Sequence, residues 1–255
     1  MKIIYFSLML SITLLSCSSN ETVEEIEESV SLKYPKDILS VFQQHGGISA
    51  WNSMNTLSYE FENEGSVEKQ TIDLKSRKIR IEQERFNIGF DGNEVWVQQL
   101  NTNNYEGDAR FYHNLYFYFY AMPFVLADEG IEYEVAESLV VDSIEYPGIK
   151  ISYNQNVGDS PEDNYILYYN KETKQAEWLG YTVTYFNGKP SEELHYLQFE
   201  SWQKVNGLLL PETLTWYNLD LENNTKEERG EMIFNNVDLS SERLSDSLFL
   251  KPKGV

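Results

Sequence analysis

The sequence contains few of the residues that form disulfides or bind metal ions, since it has one cysteine and three histidines. One cysteine cannot form a disulfide within the chain or make up a cysteine-ligated zinc site. The histidines, His45, His113 and His195, share no metal-ligand spacing, so we expect structural or exposed roles for them and predict no bound metal. The stability of the folded chain then has to come from its core.

Basic residues are also scarce. The chain has 20 lysines and arginines against 41 aspartates and glutamates, a formal net charge of -21. The negative electrostatic potential of such a protein repels the phosphates of nucleic acids and the headgroups of anionic lipids. We therefore predict no nucleic-acid partner, and no basic patch that would hold the protein on a membrane.

Catalytic motifs are absent as well. The stretch Gly47-Ile48-Ser49-Ala50 lacks the closing glycine of a nucleophile elbow, and no His-Glu-x-x-His pair or phosphate-binding loop occurs. The sequence therefore predicts a protein that is not an enzyme and that carries no cofactor.

The apolar stretch that starts at Ile3 is too short for a transmembrane helix, which needs about 20 residues. Lys2 precedes it, and it closes with Leu14-Leu15-Ser16-Cys17. This pattern is typical of a secretory signal and resembles the lipobox of bacterial lipoproteins. Residues 1–16 are thus predicted to be a lipoprotein signal peptide, with Cys17 acylated as the lipid attachment site. Two or more acyl chains give lasting membrane attachment. The alternative is an ordinary cleaved signal with an incidental cysteine.

Residues 17–32 are polar and acidic, and they are predicted to form a tether. A short helix is the alternative, because Val23, Ile26 and Val30 fall at helical spacing. Residues 33–255 are predicted to form a single domain, since all-β domains often reach this size without splitting.

The folded part is predicted to open with two short helices, the first ended by Gly46-Gly47 and the second carrying Trp51. From Leu57 onward the apolar residues alternate with polar ones, as in half-buried strands. Such runs cover residues 57–64, 67–74, 78–84, 86–100, 131–139, 148–153, 164–169, 177–186, 193–204, 208–218 and 226–238. Asp91-Gly92, Asn187-Gly188 and Asn206-Gly207 are hairpin-turn signals. We expect roughly eleven strands in a curved antiparallel meander.

Residues 111–128 interrupt this β pattern with eight aromatic residues, and we predict a helix there with Asn114 as its cap. Pro123 is predicted to kink or break it. A helix that is apolar on nearly every side belongs inside a fold, so it is placed against the concave side of the sheet.

A family resemblance rests on the His45-Gly46-Gly47 helix with Trp51, the long β meander, the aromatic helix and the ending Ser247-Leu248-Phe249-Leu250-Lys251-Pro252. Together they resemble the LolA/LolB lipoprotein-carrier superfamily. More narrowly, residues 111–133 resemble a lipoprotein family of Bacteroidota, the domain of unknown function 6503. The resemblance implies a mainly β half-barrel whose concave face is apolar and covered by helices. It also implies binding of acyl chains or lipids.

On this basis we expect a membrane-anchored lipoprotein of the cell envelope, at the outer membrane facing the periplasm, that binds a lipid, an acyl chain or another apolar ligand. One alternative is an interaction module that docks another envelope protein, and a second is a glycan hydrolase. Core packing would explain the candidate cavity-lining residues equally well. These residues are large aromatics predicted to face inward or to lie on the covering helix: Trp51, Trp96, Tyr116, Phe117, Tyr120, Phe124 and Trp178.

Overall fold

The computed structural model describes residues 33–102, 105–153, 163–186 and 188–253. Within these ranges the chain forms three α-helices, two short 3-10 helices and thirteen strands. The helices are α1 (Lys36–Gln44), α2 (Ile48–Ser53) and α3 (Ala109–Tyr120), with 3-10 turns at Phe124–Ala127 and Asp246–Leu248. The strands are β1 (Thr56–Asn63), β2 (Ser66–Asp73), β3 (Ile79–Glu82), β4 (Phe86–Phe90), β5 (Val95–Gln99), β6 (Ile131–Val141), β7 (Ile144–Tyr153), β8 (Tyr165–Tyr169), β9 (Ala176–Tyr181), β10 (His195–Val205), β11 (Leu208–Asp220), β12 (Thr225–Ile233) and β13 (Asn235–Ser240).

The two opening helices form where the sequence predicts them. α1 buries Ile38, Val41 and Phe42 at helical spacing on one face. Gly46 and Gly47 follow with φ of 105° and 90°, a backbone conformation that ends the helix and suits glycine. α2 then buries Trp51 on the same core.

The strands build two antiparallel sheets. The first sheet has six strands in the order β13-β1-β2-β3-β4-β5, and the second has seven in the order β12-β11-β10-β9-β8-β7-β6. β5 and β6 form the outer edges, so the sheets do not close into a barrel. The predicted class is confirmed: the chain is mainly β, antiparallel and consistent with a half-barrel.

One stretch of chain joins the two sheets. Only Phe234 separates β12 from β13, and its backbone N–H donates to the carbonyl oxygen of Glu212 on β11 at 2.8 Å. Asn236 then has φ of 50°, which marks an irregularity in the strand. Residues 225–240 therefore act as one strand that leaves the second sheet and enters the first. The predicted run 226–238 is thus two strands, and the predicted run 86–100 is also two, β4 and β5. The described residues therefore contain thirteen strands in two sheets, where the sequence predicted about eleven in one.

The main core lies between the helices and the inward faces of both sheets. Leu57, Tyr59 and Phe61 on β1 are at most 1% exposed, while Glu62 on the same strand is exposed, as the alternation predicts. A second, smaller apolar cluster contains Leu139, Val141, Tyr146, Tyr168 and Trp178. Because Trp178 alternates along β9 with the core residue Leu179, this cluster lies on the other face of the second sheet. None of the helices in the described part of the chain combines the length and the apolar character needed to cross a membrane.

Candidate functional site

The candidate site is a cavity of about 310 Å³ between α3 and the inner faces of the two sheets. The first sheet contributes the side chains of Ile72, Ile79 and Phe90 to its wall. The second sheet contributes tyrosines from three adjacent strands. α3 supplies a third part of the wall with residues of its first three turns. The strand tyrosines are Tyr153, Tyr165 and Tyr181. The α3 residues are Arg110, Phe111, His113, Asn114, Leu115, Phe117, Tyr118 and Phe119.

α3 starts earlier than the sequence predicts. Its N-cap is Asp108, whose Oδ1 accepts hydrogen bonds from the backbone N–H groups of Arg110 and Phe111 at 2.9 and 3.1 Å. The expected cap, Asn114, lies instead in the second turn and lines the cavity. The helix stops at Tyr120, shortly before Pro123, and a 3-10 turn follows, so the predicted break is confirmed.

The two sides of α3 make different contacts. Asn114 and its neighbours one turn away line the cavity. On the opposite side, the Tyr112 hydroxyl donates to Oε2 of Glu68 on β2 at 2.7 Å. Glu68 is fully buried, and its carboxylate also accepts hydrogen bonds from three neutral side chains. They are Gln70 at 2.7 Å, Gln83 at 3.1 Å and Asn63 at 3.2 Å. This polar network fixes α3 to the first sheet, because a buried carboxylate with four donors holds each donor in place.

An ion pair forms the main polar feature of the cavity wall. Nη2 of Arg77 lies 2.7 Å from both carboxylate oxygens of Asp128. Arg77 belongs to the turn between β2 and β3, and Asp128 follows the 3-10 turn after α3. Burial raises the pKa of the Asp128 carboxyl, and the Arg77 guanidinium opposes that shift. The Arg77 guanidinium carbon also lies 5.0 Å from the centroid of the Phe117 ring.

Two further polar groups of the cavity have structural partners. Oδ1 of Asp163 accepts a hydrogen bond from the backbone N–H of Thr184 at 2.7 Å. The Tyr181 hydroxyl accepts one from Nε1 of Trp216 at 3.1 Å. Burial raises the pKa of Tyr165 well above its ordinary value, so its hydroxyl stays neutral. The site is therefore a largely apolar and aromatic cavity whose wall includes the Arg77–Asp128 ion pair and the charged residues Arg110 and Asp163.

Phe117 is the one predicted lining residue that contributes to this cavity in the described residues. Four others pack in the main core around it. Trp51 stacks on Phe124 with ring centroids 4.8 Å apart, and Tyr120 lies between Tyr59 and Phe234 at 4.5 and 4.4 Å. Tyr116 packs on Phe61 at 5.1 Å. For these four residues the structure shows core packing, as the alternative interpretation had it.

Trp96 and Trp178 do not face the cavity, which corrects the expectation that they point inward. Nε1 of Trp96 donates to the carbonyl oxygen of Phe249 in the C-terminal segment at 2.9 Å. Its neighbours on β5, Val95 and Val97, pack on the main core, so Trp96 lies on the other face of the first sheet. Trp178 lies in the second apolar cluster, with Lys226 Nζ 5.6 Å from its ring. The sequence predicted both tryptophans to be large residues facing inward; both are buried, but on the opposite face of their sheets.

Sequence reasoning missed Arg77, Asp128 and the tyrosines of β7, β8 and β9. Arg77 and Asp128 lie in turns 51 positions apart, and no motif connects them. Each tyrosine lies in an alternation of apolar and polar residues, a pattern that is equally typical of an ordinary core strand. Residues 1–32 lie outside the described residues, and with them lie Cys17, the predicted signal peptide and the predicted tether. Within the described residues, no group of three or more metal-ligating side chains comes together.

Comparisons with known proteins add likenesses at the level of the fold. No family model matches the chain, and no curated protein matches it. A DUF1329 family protein from Desulfovibrio piger is 10% identical with a TM-score of 0.48, and the match covers 85% of this chain and 98% of that one. A LolA superfamily protein from Nitrosomonas europaea is 9% identical with a TM-score of 0.39, covering 83% and 96%. A domain described as an outer membrane lipoprotein-sorting protein, from Vibrio parahaemolyticus, is 8% identical with a TM-score of 0.40, covering 83% and 95%. One of these matches carries the name of the LolA superfamily, which the sequence was also found to resemble. None of them tests the narrower resemblance to the Bacteroidota family.

Proposed function

We propose that this protein is a membrane-anchored lipoprotein of the cell envelope that binds one apolar or amphiphilic ligand in the cavity under α3. The observation that supports it most is the cavity itself, because the chain's own side chains leave about 310 Å³ open between two sheets and a helix. Ligand pockets in proteins begin at about 300 Å³ and are mostly apolar with few polar groups. A space of this size suits a single hydrocarbon chain.

Binding, not hydrolysis, is the activity we propose. Among the groups that line the cavity, Asp128 is paired with Arg77 and Asp163 accepts a hydrogen bond from Thr184 N–H. A glycan hydrolase needs one carboxylic acid and one carboxylate acting on either side of a sugar ring. Carboxylates that hold turns in place are better suited to shaping a binding cavity.

For the location, we propose attachment through acylated Cys17 at the outer membrane, facing the periplasm. The support is the sequence Leu14-Leu15-Ser16-Cys17 after an apolar stretch. Acyl chains on Cys17 would keep the cavity close to a source of lipids.

The test of ligand binding uses the full chain in phosphatidylcholine vesicles and a photoactivatable fatty alcohol, which is uncharged. We expect cross-links on cavity residues such as Ile79 and Leu115. Asn114→Trp should block labelling, because Asn114 is one of the α3 residues that line the cavity and the larger indole would fill part of it. Val135→Trp is the matched control, since Val135 on β6 is 90% exposed and outside the cavity. Cavity labelling that persists at the wild-type level in a folded Asn114→Trp variant contradicts the proposal, as does labelling that never reaches the cavity.

A further inference from the structure

Two tyrosine hydroxyls in the cavity wall have no hydrogen-bond partner within the part of the chain that the structure describes. They belong to Tyr153 at the end of β7 and Tyr165 at the start of β8. Both side chains are half-buried. Neither hydroxyl is among the polar atoms of the described chain that are both unbonded and enclosed, so each can be reached from the cavity that its residue lines.

The pairing of β7 with β8 brings these two tyrosines together. Tyr165 lies opposite Ile151, and Tyr153 is two positions further along the same face of β7. The two rings meet edge to face, with centroids 5.9 Å apart and planes at 81°. Because the strands and this ring contact hold both phenols, the hydroxyls are positioned before a ligand arrives, which lowers the cost of binding.

Both hydroxyls are neutral donors that favour an uncharged acceptor. Burial raises the pKa of Tyr165 well above its ordinary value, and burial also raises the pKa of Tyr153. The carboxylate of Asp163 raises both values further, and that of Asp128 adds to the shift of Tyr153. An anionic group on the ligand would therefore meet a nearby carboxylate at these hydroxyls, whereas a carbonyl oxygen would not.

The two hydroxyls also select against a ligand that has no acceptor. An O–H group without a protein partner depends on solvent in the cavity for its hydrogen bond. A pure hydrocarbon would displace that solvent and leave both donors unpaired, while a carbonyl oxygen would take the place of the solvent. Phenylalanine would pack the same rings without this constraint, so the hydroxyls add specificity and not packing.

We propose that the ligand is an uncharged single-chain lipid whose acyl carbonyl group, in an ester or an amide, accepts hydrogen bonds from Tyr153 and Tyr165. This inference rests on the proposed function and names the chemical class of its ligand. The hydrocarbon chain lies against Ile72, Ile79 and Phe117 in the other walls of the same cavity. A few placed polar groups in a largely apolar wall are typical of sites that orient a ligand.

The experiment compares four photoactivatable probes of equal chain length with the full protein in vesicles of ether-linked phosphatidylcholine, which offers no acyl carbonyl. The probes are an acyl methyl ester, the matching methylamide, the matching alkane and the matching alkyl sulfate, which stays ionised. The quantity measured is the probe-to-lipid ratio that gives half-maximal cross-linking to cavity peptides. We expect the wild-type protein to favour a carbonyl probe over both the alkane and the sulfate. The better of the two carbonyl probes identifies the source as an ester or an amide lipid.

Substitutions then assign the preference to the two hydroxyls. Tyr153→Phe and Tyr165→Phe each remove one hydroxyl and keep the ring. Each should lower the preference for the carbonyl probe over the alkane by about fivefold, the effect of one neutral hydrogen bond, while the alkane still labels the cavity. Comparing this preference between proteins cancels the different partitioning of the probes into the vesicles. Tyr196→Phe is the matched control, because Tyr196 packs in the second apolar cluster on the outer face of the second sheet.

The same variants report on the protein without ligand. Since neither hydroxyl has a partner in the described residues, urea unfolding of Tyr153→Phe and Tyr165→Phe should give free energies no lower than that of the wild type. A clear loss of stability in either variant would show that its hydroxyl bonds within the protein, and that result overturns the inference.

The labelling results can overturn it in two further ways, which differ in what they leave standing. A carbonyl preference that survives both phenylalanine variants unchanged, or a wild-type protein that favours the sulfate or the alkane, refutes the carbonyl assignment and leaves the apolar binding site intact. Cavity labelling by none of the four probes refutes the proposed function, and the carbonyl assignment with it.

Discussion

Nε2 of His45 accepts a hydrogen bond of 3.1 Å from the backbone N–H of Ala176, 131 positions along the chain. The proton of the imidazole is therefore on Nδ1, which donates to the carbonyl oxygen of Leu209 at 3.2 Å. His45 is fully buried, at the end of α1, and these bonds join that helix to β9 and β11. The histidine that the sequence singled out in the His45-Gly46-Gly47 motif has a structural role.

The burial of His45 predicts a loss of stability in mild acid. Burial lowers the pKa of His45 from 6.5 to about 4. Between these values the unfolded chain binds a proton that the folded chain does not, so stability is complete above pH 6.5 and declines as the pH falls towards 4. The contribution is about 3 kcal/mol at 1.36 kcal/mol per unit of pKa.

Urea unfolding of the wild type and of His45→Gln from pH 4 to pH 7.5 checks this. His45→Gln should be less stable at pH 7.5, and its free energy of unfolding should change less over the interval, because the glutamine does not titrate. Carboxyl groups that titrate nearby are common to both proteins and cancel in the comparison. Parallel pH profiles for the two proteins would show that His45 is not the group responsible.

The glycine after His45 makes a second prediction. A Cβ atom on Gly46 would lie 2.7 Å from the carbonyl oxygen of Gly207 and 2.8 Å from Cδ2 of Leu208. A Cβ atom on Gly47 would meet nothing within 4 Å, although both residues have positive φ. Gly47→Ala should thus lower the free energy of unfolding by about 1–3 kcal/mol through backbone strain alone. Gly46→Ala should cost about 1–3 kcal/mol more, because the hairpin between β10 and β11 has to move.

Chemical denaturation of the two alanine variants measures the difference directly. Equal losses of unfolding free energy in the two variants would mean that the hairpin moves without a free-energy cost. Close packing of the end of α1 on residues 207–208 would then not contribute to stability.

The membrane anchor gives a third prediction, for a residue outside the described ranges. Cys17→Ser removes the thiol that would be acylated, and without acyl chains an acidic protein has no basic patch to hold it on a membrane. We expect the variant in the soluble fraction after cell lysis and the wild type in the membrane pellet. Ser16→Ala, one position earlier, should leave the wild type's membrane attachment unchanged. A Cys17→Ser protein that stays in the membrane pellet argues against the anchor.

The fold could be predicted from the sequence where hydrophobic period and turn residues agree. The alternation of Leu57, Tyr59 and Phe61 gave the inward face of β1, and Asn206-Gly207 gave the turn between β10 and β11, where both residues have positive φ. Alternation fails on the next strand. On β2 the apolar Val67 is 55% exposed and the charged Glu68 is fully buried. One of the donors that make this burial tolerable, Gln70, lies on β2 itself, but the others come from β1, from the residue after β3 and from α3, and no local pattern reveals them.

The candidate site was predictable only in outline. An apolar cavity beside an aromatic helix follows from residues 111–128, and Phe117, one of the residues named from the sequence, lies in its wall. The polar wall was not predictable, because Arg77 lies in a turn of the first sheet and Asp128 follows the 3-10 turn after α3. The facing of Trp96 and Trp178 was missed for a different reason. Both sheet faces carry buried aromatics, so large apolar residues do not by themselves identify the concave side.

The position of Trp96 on the outer face leads to a fourth prediction. Gly89 lies opposite Trp96 in the pairing of β4 with β5, and a Cβ atom there would lie 2.1 Å from Cζ2 of the indole. Gly89→Ala should displace the indole, break its hydrogen bond to Phe249 and destabilise the fold by about 2–4 kcal/mol. Gly230→Ala on β12 is the control, since a Cβ atom there meets nothing within 4 Å and should change stability by less than about 0.5 kcal/mol. Urea unfolding, with hydrogen exchange of residues 246–249, measures both effects. If Gly89→Ala matches Gly230→Ala in stability and exchange, the indole does not hold the C-terminal segment on the sheet.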